Sequence, residues 1–278
     1  MAEADKAFTG SIPELYDRHL VPLIFDIYAR DMARRVKAIA PSRVLETACG
    51  TGVVTRAIAS AIEGPIRIVA TDLNPGMLDV AQARLGDDDR VEWRQADALA
   101  LPFEDASFDV VVCQFGAMFF PDKVQGFAEA RRVLAPSGVF LFSVWDRIAE
   151  NEFADVVTAA MAELFPVNSP NFLARTPHGH HDAGATERAL RDAGFGEVQI
   201  DVVKAVSRSA SAQEPAYAYC QGTPLRNEIL AQDPSGLERA TQHAAAALRR
   251  RFGDGPVEGK IQALVVRASN PTTAGSPG

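Results

Sequence analysis

Four apolar runs in the first 114 residues each end on a side chain that can hold a polar ligand. Glu46, Asp72 and Asp97 are carboxylates, and Gln114 carries an amide. Glu46 leads directly into a turn of small residues, T-A-C-G-T-G, which ends at Gly52. Glycines let a backbone turn sharply and approach a ligand closely, because no side chain is in the way. A carboxylate beside such a turn suits a cationic ligand group and would repel a pyrophosphate.

The elements around these residues alternate between apolar strands and amphipathic helices. The patterns predict strands over 43–47, 66–71, 91–96, 108–113, 138–145, 197–206 and 261–268. Such alternation favours a parallel sheet covered on both faces, with the ligand at the carboxyl ends of the strands. The fold class is therefore α/β, a Rossmann-like, seven-stranded, mostly parallel sheet with helices on both faces. The three carboxylates Glu46, Asp72 and Asp97, which we call the acidic row, would lie along one edge of that sheet.

The remaining stretches suggest how the chain is organised around this sheet. Residues 1–40 form a predicted N-terminal helical lid, which Pro22 is expected to split into two helices. Residues 41–148 hold the ligand-binding core, and 149–268 hold the rest of the sheet with substrate-side helices. A polar, Ala-rich helical insertion over 213–252 precedes the last strand. Residues 269–278 read as a disordered tail.

Composition excludes several classes of function. The net charge of −8 argues against a nucleic-acid partner, because phosphate neutralisation needs clustered Lys and Arg. The three cysteines, Cys49, Cys113 and Cys220, show no pairing pattern and fit a reducing compartment. No signal peptide and no apolar run of about 20 residues is apparent. We expect a cytoplasmic protein without a membrane span, either a monomer or a homodimer.

Two ligand classes compete for the small-residue turn, a dinucleotide and S-adenosylmethionine (SAM). The dinucleotide fingerprint G-x-G-x-x-G/A needs a third small residue. Here the turn reads A-C-G-T-G-V-V-T, and that residue is missing. A register shifted by two, to Ala48, Gly50 and Val53, also fails. Glu46 favours SAM, since its carboxylate suits the amino group of a methionine moiety.

Five motifs in order resemble those of the class I SAM-dependent methyltransferases, particularly the methyltransferase type 11 group. They are L-E-T-A-C-G-T-G, V-A-T-D-L-N with Met77, Q-A-D-A-L-A-L-P-F, F-D-V-V-V-C-Q-F-G and R-R-V-L-A-P-S-G-V-F. The resemblance covers about residues 40–146 and departs at Ala48, where the family has glycine. It implies a SAM-dependent methyltransferase that leaves S-adenosylhomocysteine (SAH) as product.

The resemblance also implies roles for individual residues at the methionine end. The turn of Ala48, Cys49, Gly50 and Gly52 would wrap the methionine, with Glu46 near its amino group. Gln114 would close over this end. Cys49 reads as a small turn residue rather than a nucleophile.

At the adenosine end, the resemblance implies that Asp72 accepts both ribose hydroxyls. Leu73 and Met77 would sandwich the adenine, and Asp97 would accept from its amino group with Ala98 beside it. Each assignment has a structural alternative: a helix N-cap for Asp72, a turn residue for Asp97 and ordinary helix core for Met77.

Aromatic and histidine side chains are candidates for the reaction itself. Aromatic faces stabilise a sulfonium by cation–π attraction, and three are placed to do so, Tyr16, Phe115 and Phe119. A general base is needed only for a hydroxyl or a charged amine, and the weak catalytic candidates are His19 and His178, with His180 and His181 as further options. The H-x-H-H pattern matches no common metal-ligand spacing, so no metal is expected.

The acceptor end of the site reads as apolar. Its expected lining is Phe115, Met118, Phe119, Phe120 and Phe172. The sequence therefore predicts methyl transfer to a small hydrophobic or aromatic molecule, with the acceptor atom (O, N or C) left open. The alternatives are a SAM-binding protein without methyl transfer and a nicotinamide-dependent oxidoreductase.

Overall fold

A computed structural model describes residues 10–270 of the chain. The first nine residues and most of the predicted disordered tail, residues 271–278, lie outside this range. Ser269, which the sequence placed in the tail, is the last residue of a strand.

The described residues form a seven-stranded sheet in the order β3-β2-β1-β4-β5-β7-β6. The strands are β1 (Arg43–Glu46), β2 (Arg67–Asp72), β3 (Val91–Gln95), β4 (Phe108–Gln114), β5 (Leu134–Trp145), β6 (Glu197–Ser209) and β7 (Val257–Ser269). β1 pairs in parallel with both β2 and β4, β2 with β3, and β4 with β5. Strand order therefore reverses between β1 and β4, which is where such sheets bind ligands.

Helices connect the strands. They are α1 (Ile12–Leu15), α2 (Asp26–Ile39), α3 (Val53–Ala61), α4 (Pro75–Leu85), α5 (Lys123–Val133), α6 (Glu152–Leu164), α7 (Phe172–Arg175), α8 (Ala183–Asp192), α9 (Gln213–Gln221), α10 (Leu225–Gln232) and α11 (Leu237–Phe252). The predicted α/β class with seven strands is confirmed. Three helices, α9 to α11, fill the predicted insertion before the last strand.

Pro22 does not split the N-terminal helices, contrary to the prediction. It lies inside a π-helical stretch, Tyr16–Phe25, that joins α1 to α2. Proline lacks an N–H and crowds the carbonyl four residues back. A wider turn relieves this conflict, and the Asp26 N–H accordingly donates to the Val21 carbonyl, five residues back.

Three strands are longer than predicted. β5 begins at Leu134 rather than at 138, because Leu134 pairs with Phe108 beyond a register irregularity in β4. β6 continues to Ser209, and β7 begins at Val257. Strand pairing, which the local pattern does not reveal, extends these elements.

Contacts divide the chain into two compact units. Among the described residues, the first contains 10–28, 144–181 and 203–263, and the second contains 29–143, 182–202 and 264–270. The second holds β1 to β4 and the acidic row. The lid, core and insertion bounds proposed from the sequence stay a prediction.

Phenylalanine rings form much of the core of the second unit. Phe127 lies 5.8 Å from Phe140 and 5.1 Å from Phe142, measured between ring centroids, and all three are at most 1% exposed. Burying one such side chain contributes about 1.5–3 kcal/mol. Phe127 of α5 thus packs on Phe140 and Phe142 of β5, the strand that pairs with β4. Within residues 10–270, no helix has the length and apolar character that a bilayer span requires.

Candidate active site

The small-residue turn after β1 is built from left-handed backbone. Ala48, Gly50 and Gly52 have φ angles of 50°, 55° and 75°. Glycine adopts a left-handed φ without strain, whereas the same conformation costs alanine about 1 kcal/mol or more in free energy. The turn is closed by the Cys49 N–H, which donates to the Thr71 carbonyl at 2.9 Å.

Asp72, at the end of β2, holds this turn in place. One carboxylate oxygen accepts the Gly50 N–H and the other accepts the Asn74 N–H, both at 2.8 Å. Burial raises the pKa of Asp72, and these two backbone donors oppose the rise. The N-cap of α4 is Asn74, so Asp72 is not the capping residue. Its carboxylate instead links the ends of β1 and β2.

Glu46 lies under the same turn and is 2% exposed. Its Oε2 accepts the Thr55 hydroxyl of α3 at 2.5 Å. Burial raises the pKa of Glu46 to about 8, against the lowering effects of Thr55 and Arg56, and the negative charge of Asp72 raises it further. A carboxyl group in this state gains a proton unless a cation is bound beside it.

The two glycines of the turn have different surroundings. A Cβ at Gly52 would lie 2.9 Å from the Trp93 ring of β3 and 3.0 Å from Ala81 Cβ, so Trp93 supports the turn from one side. At Gly50, none of the described residues has a heavy atom within 4 Å of the same position. The backbone at Gly50 is therefore open to a ligand.

The turn after β4 packs against the turn after β1. Phe115 has a left-handed φ of 55°, and its N–H donates to the Ser143 carbonyl of β5 at 3.0 Å. A Cβ at Gly116 would lie 2.5 Å from Ala48 Cβ, so only glycine fits there. The alanine at position 48 and the glycine at position 116 are thus complementary. Lys123 Nζ steadies the following residues by donating to the Phe120 carbonyl at 3.0 Å.

The adenosine-side candidates differ in exposure. Leu73 is 43% exposed beside Asp72, whereas Met77 is 4% exposed within α4. One Asp97 carboxylate oxygen accepts the Leu99 N–H at 2.9 Å, which is a local turn contact. Gln114 and Ala98 are half-buried.

The apolar side chains proposed for the acceptor end are mostly buried. Phe115, Met118 and Phe120 belong to the second unit and are at most 6% exposed, and Phe119 is half-buried. The Phe120 ring lies against Gly126 of α5. Phe172 belongs to the first unit.

Tyr16, His19 and His178 also belong to the first unit. Tyr16 stacks on Phe25 with ring centroids 4.9 Å apart, and His19 meets Tyr217 edge-on at 5.0 Å. Burial and then Arg18 lower the pKa of His19. Burial also lowers the pKa of His178, to about 4.

Comparison with known proteins identifies the family. A protein-family sequence model, described as a methyltransferase domain, matches residues 45–142. A Clavibacter sepedonicus protein named demethylmenaquinone methyltransferase is 33% identical over 175 residues, covering 60% of this chain and 70% of that protein. The chain belongs to the class I SAM-dependent methyltransferases.

A second relative and two solved structures are also similar, the structures in fold. A Deinococcus radiodurans protein, also named demethylmenaquinone methyltransferase, is 42% identical over 141 residues, covering 50% of this chain and 58% of the relative. The fold matches Haemonchus contortus phosphoethanolamine N-methyltransferase 2, solved with phosphomonomethylethanolamine and SAH, at a TM-score of 0.52 and 17% identity. That match covers 95% of this chain and 61% of the other. A candidate methyltransferase of Bacillus halodurans gives a TM-score of 0.57 at 20% identity, covering 87% of this chain and 99% of that one.

The methyltransferase prediction, with SAM as the cofactor of the family, is therefore confirmed. The oxidoreductase alternative gains no support. The turn of this methyltransferase also fits SAM physically. Gly50 leaves space for a ligand, Leu73 presents an apolar face beside Asp72, and Glu46 is a buried carboxyl group that lacks a cationic partner within hydrogen-bonding distance among the described residues.

Three residues that support the methyltransferase site were missed from the sequence: Thr55, Trp93 and Gly116. Gly116 lies two residues after the end of β4, and a glycine there is a detectable signal of close backbone approach. Thr55 and Trp93 carry no local signal, because their contacts with Glu46 and Gly52 arise only when α3 and β3 flank the turn. Among residues 10–270, no group of three or more His, Cys, Asp or Glu side chains is arranged to hold a metal.

Proposed function

We propose that this methyltransferase acts on a hydroxylated aromatic ring of the quinone class. Two kinds of observation support the proposal. The relatives from Clavibacter sepedonicus and Deinococcus radiodurans are named for demethylmenaquinone. In addition, four aromatic rings of the first unit form a contiguous cluster, which we call the aromatic cluster: Tyr16, Phe25, Tyr28 and Trp145.

The aromatic cluster is the single structural observation that carries the acceptor class. Phe25 lies 5.8 Å from Trp145, and Tyr28 meets the same indole edge-on at 5.4 Å. Phe25, Tyr28 and Trp145 are at most 7% exposed, and these contacts are made among the protein's own rings. We infer that a planar aromatic acceptor would extend the cluster with contacts of the same kind, each contributing about 0.5–1.5 kcal/mol beyond its buried area. A charged or strongly polar acceptor would lose its hydration there without compensation.

When bound, SAM supplies a methyl group on a sulfonium sulfur. We propose that Glu46 holds the amino group of the methionine and that Asp72 accepts the ribose hydroxyls through lone pairs its two backbone donors leave free. Leu73 would lie on the adenine, and Asp97 would accept from the adenine amino group. Gln114 would close over the methionine end.

The chain's contribution to the reaction is mainly alignment. We propose that Glu46, Asp72 and the backbone of the turn fix the position of the methyl donor. Alignment of a donor with its acceptor can lower the entropic barrier by about 7–11 kcal/mol in favourable cases. We propose no metal in this step. The cytoplasmic location and the monomeric or homodimeric state stay predictions.

Methyl transfer from labelled SAM to a panel of acceptors tests the proposal. The panel contains 2-naphthol, 2,3-dihydroxynaphthalene, histamine and phosphoethanolamine. We expect label on the hydroxylated naphthalenes and none on the two amines. Calorimetry with SAH and with NAD on the same sample should show binding of SAH alone. Transfer to the amines only would overturn the acceptor class, and SAH binding without any transfer would favour a SAM-binding protein that methylates none of these acceptors.

A further inference from the structure

A buried polar cluster in the first unit has no role in the function described so far. It consists of Asp146, Asn151, His178 and Gln262, which we call the Asp146 cluster. Asp146 follows Trp145, the last residue of β5, and Gln262 lies on β7. His178 and Gln262 are only 5% and 7% exposed. Polar groups buried this deeply need hydrogen-bond partners or carry a large free-energy penalty.

Asp146 anchors the other members of the cluster. Its carboxylate Oδ2 accepts Gln262 Nε2 at 2.6 Å, and its own N–H donates to the Gln262 carbonyl at 3.1 Å. Asn151 Oδ1 accepts the Gln262 backbone N–H at 3.0 Å. Asn151 therefore holds the Gln262 backbone, and the Asp146 carboxylate holds its side-chain amide.

The same contacts define which way the Gln262 amide faces. Nε2 must face the Asp146 carboxylate, because a carboxylate accepts hydrogen bonds and would repel the amide oxygen. The Gln262 Oε1 atom is consequently directed away from Asp146. It is buried, and no residue in 10–270 donates a hydrogen bond to it.

The His178 ring is held in one tautomer. Its Nδ1 lies 2.8 Å from the Asp146 carbonyl oxygen, which only accepts, so Nδ1 carries the proton. Nε2 is then the acceptor nitrogen of the ring. Burial lowers the pKa of His178 to about 4, so the ring stays neutral and Nε2 keeps its lone pair near pH 7.

The Asp146 cluster therefore offers two hydrogen-bond acceptors beside the buried ring of Trp145. The His178 ring lies 5.9 Å from the Trp145 ring of the aromatic cluster. A ligand carbonyl or ether oxygen would leave both acceptors unsatisfied. A ligand with two donor hydrogens at one end would satisfy one acceptor with each.

We propose that His178 Nε2 and Gln262 Oε1 bind two adjacent donor groups, such as neighbouring hydroxyls, on the aromatic methyl acceptor. The inference rests on the proposed acceptor class and adds the residues that select for it. His178 acts here as a specificity-determining residue rather than a general base, because so weak a base takes a phenolic proton poorly. An oxidised, carbonyl-bearing ring would be rejected by the same two atoms.

Three naphthalenes of nearly equal shape test this inference: 2,3-dihydroxynaphthalene, 2-naphthol and 2-methoxynaphthalene. Their binding to the full chain saturated with SAH is measured by calorimetry. We expect each lost hydroxyl donor to weaken binding about tenfold, or about 1.4 kcal/mol per step. His178→Phe keeps a planar ring but removes Nε2, and Gln262→Leu removes Oε1. Each variant should therefore lose one of the two tenfold differences in affinity along the series of naphthalenes.

His243→Phe is the matched control, because this half-buried histidine of the first unit contacts Glu163 and lies outside the cluster. It should keep both steps. A wild-type protein that binds all three probes alike, or none of them, overturns the inference without touching the SAH binding that supports the methyltransferase function. Unchanged steps in both variants also overturn it. Because the wild-type protein alone is compared across the three probes, the test stays decisive even if His178→Phe or Gln262→Leu fails to fold.

Discussion

Glu46 should release a proton when the cofactor binds. Its pKa of about 8 in the ligand-free chain means that nearly every molecule carries the proton at pH 6.5. An ammonium group at Glu46 would return the pKa towards its ordinary value of 4.5. Free α-amino groups titrate at about 7.7–8.0 and are almost fully charged at pH 6.5. The net release should then be about 0.9 proton for each ligand bound, from these pKa values.

Calorimetry of SAH binding in two buffers of different ionisation enthalpy measures this release directly. The dissociation constant of the wild-type chain should also fall nearly tenfold from pH 6 to pH 7 and less steeply above that, because binding requires the deprotonated carboxyl group. Glu46→Gln resembles the protonated acid in shape, so it should fold normally. It should release no proton and show affinity independent of pH over this range.

Folding stability gives a second readout of the same group. The folded chain keeps the Glu46 proton to about pH 8, whereas the unfolded chain loses it near 4.5. The stability that Glu46 contributes is therefore full below pH 4.5 and is lost as the pH rises to 8, by about 5 kcal/mol relative to Glu46→Gln. The exposed Glu104→Gln serves as control. Equal proton release by wild type and Glu46→Gln would refute the placement of the amino group at Glu46.

Three further predictions concern the turn, the ribose and the buried histidine. Gly50→Ala should weaken SAH binding at least tenfold but lower the melting temperature only modestly, since its Cβ enters open space. Gly52→Ala should lower the free energy of unfolding by about 1–3 kcal/mol more than Gly50→Ala does, because its Cβ meets the Trp93 ring. Asp72→Asn should weaken SAH binding by about 2 kcal/mol or more through the lost charge, while Asp79→Asn on the exposed face of α4 should not, as calorimetry will show. His178, with its pKa lowered from 6.5 to about 4, contributes stability that is present above pH 6.5 and is lost as the pH falls to 4, so wild type should lose about 3 kcal/mol relative to His178→Phe in urea titrations across that range.

The acidic row shows how far the sequence could be interpreted. Placing Glu46, Asp72 and Asp97 along one sheet edge needed only the alternation of strands and helices, because parallel strands must end at the same edge. The structure confirms the parallel pairing of β1, β2 and β3 that brings these residues together. Their roles towards SAM stay predictions.

The state of each carboxyl group could not be predicted in this way. Asp72 binds two backbone N–H groups, and Asp97 binds one in a local turn. Glu46 binds a threonine from the following helix. These partners depend on how closely separate elements approach, which no local pattern encodes.

The sequence by itself determined the fold class, the glycine turn and the family, because strand periodicity and small residues at fixed spacing are local properties of the chain. The tertiary structure decided what surrounds those residues. Trp93 meets Gly52, Gly116 accommodates Ala48, and Asp146 sets the tautomer of His178 through contacts between residues 32 to 68 positions apart. Burial and hydrogen bonding at such distances fix the charge state of a side chain, and they exist only once the sheet has formed.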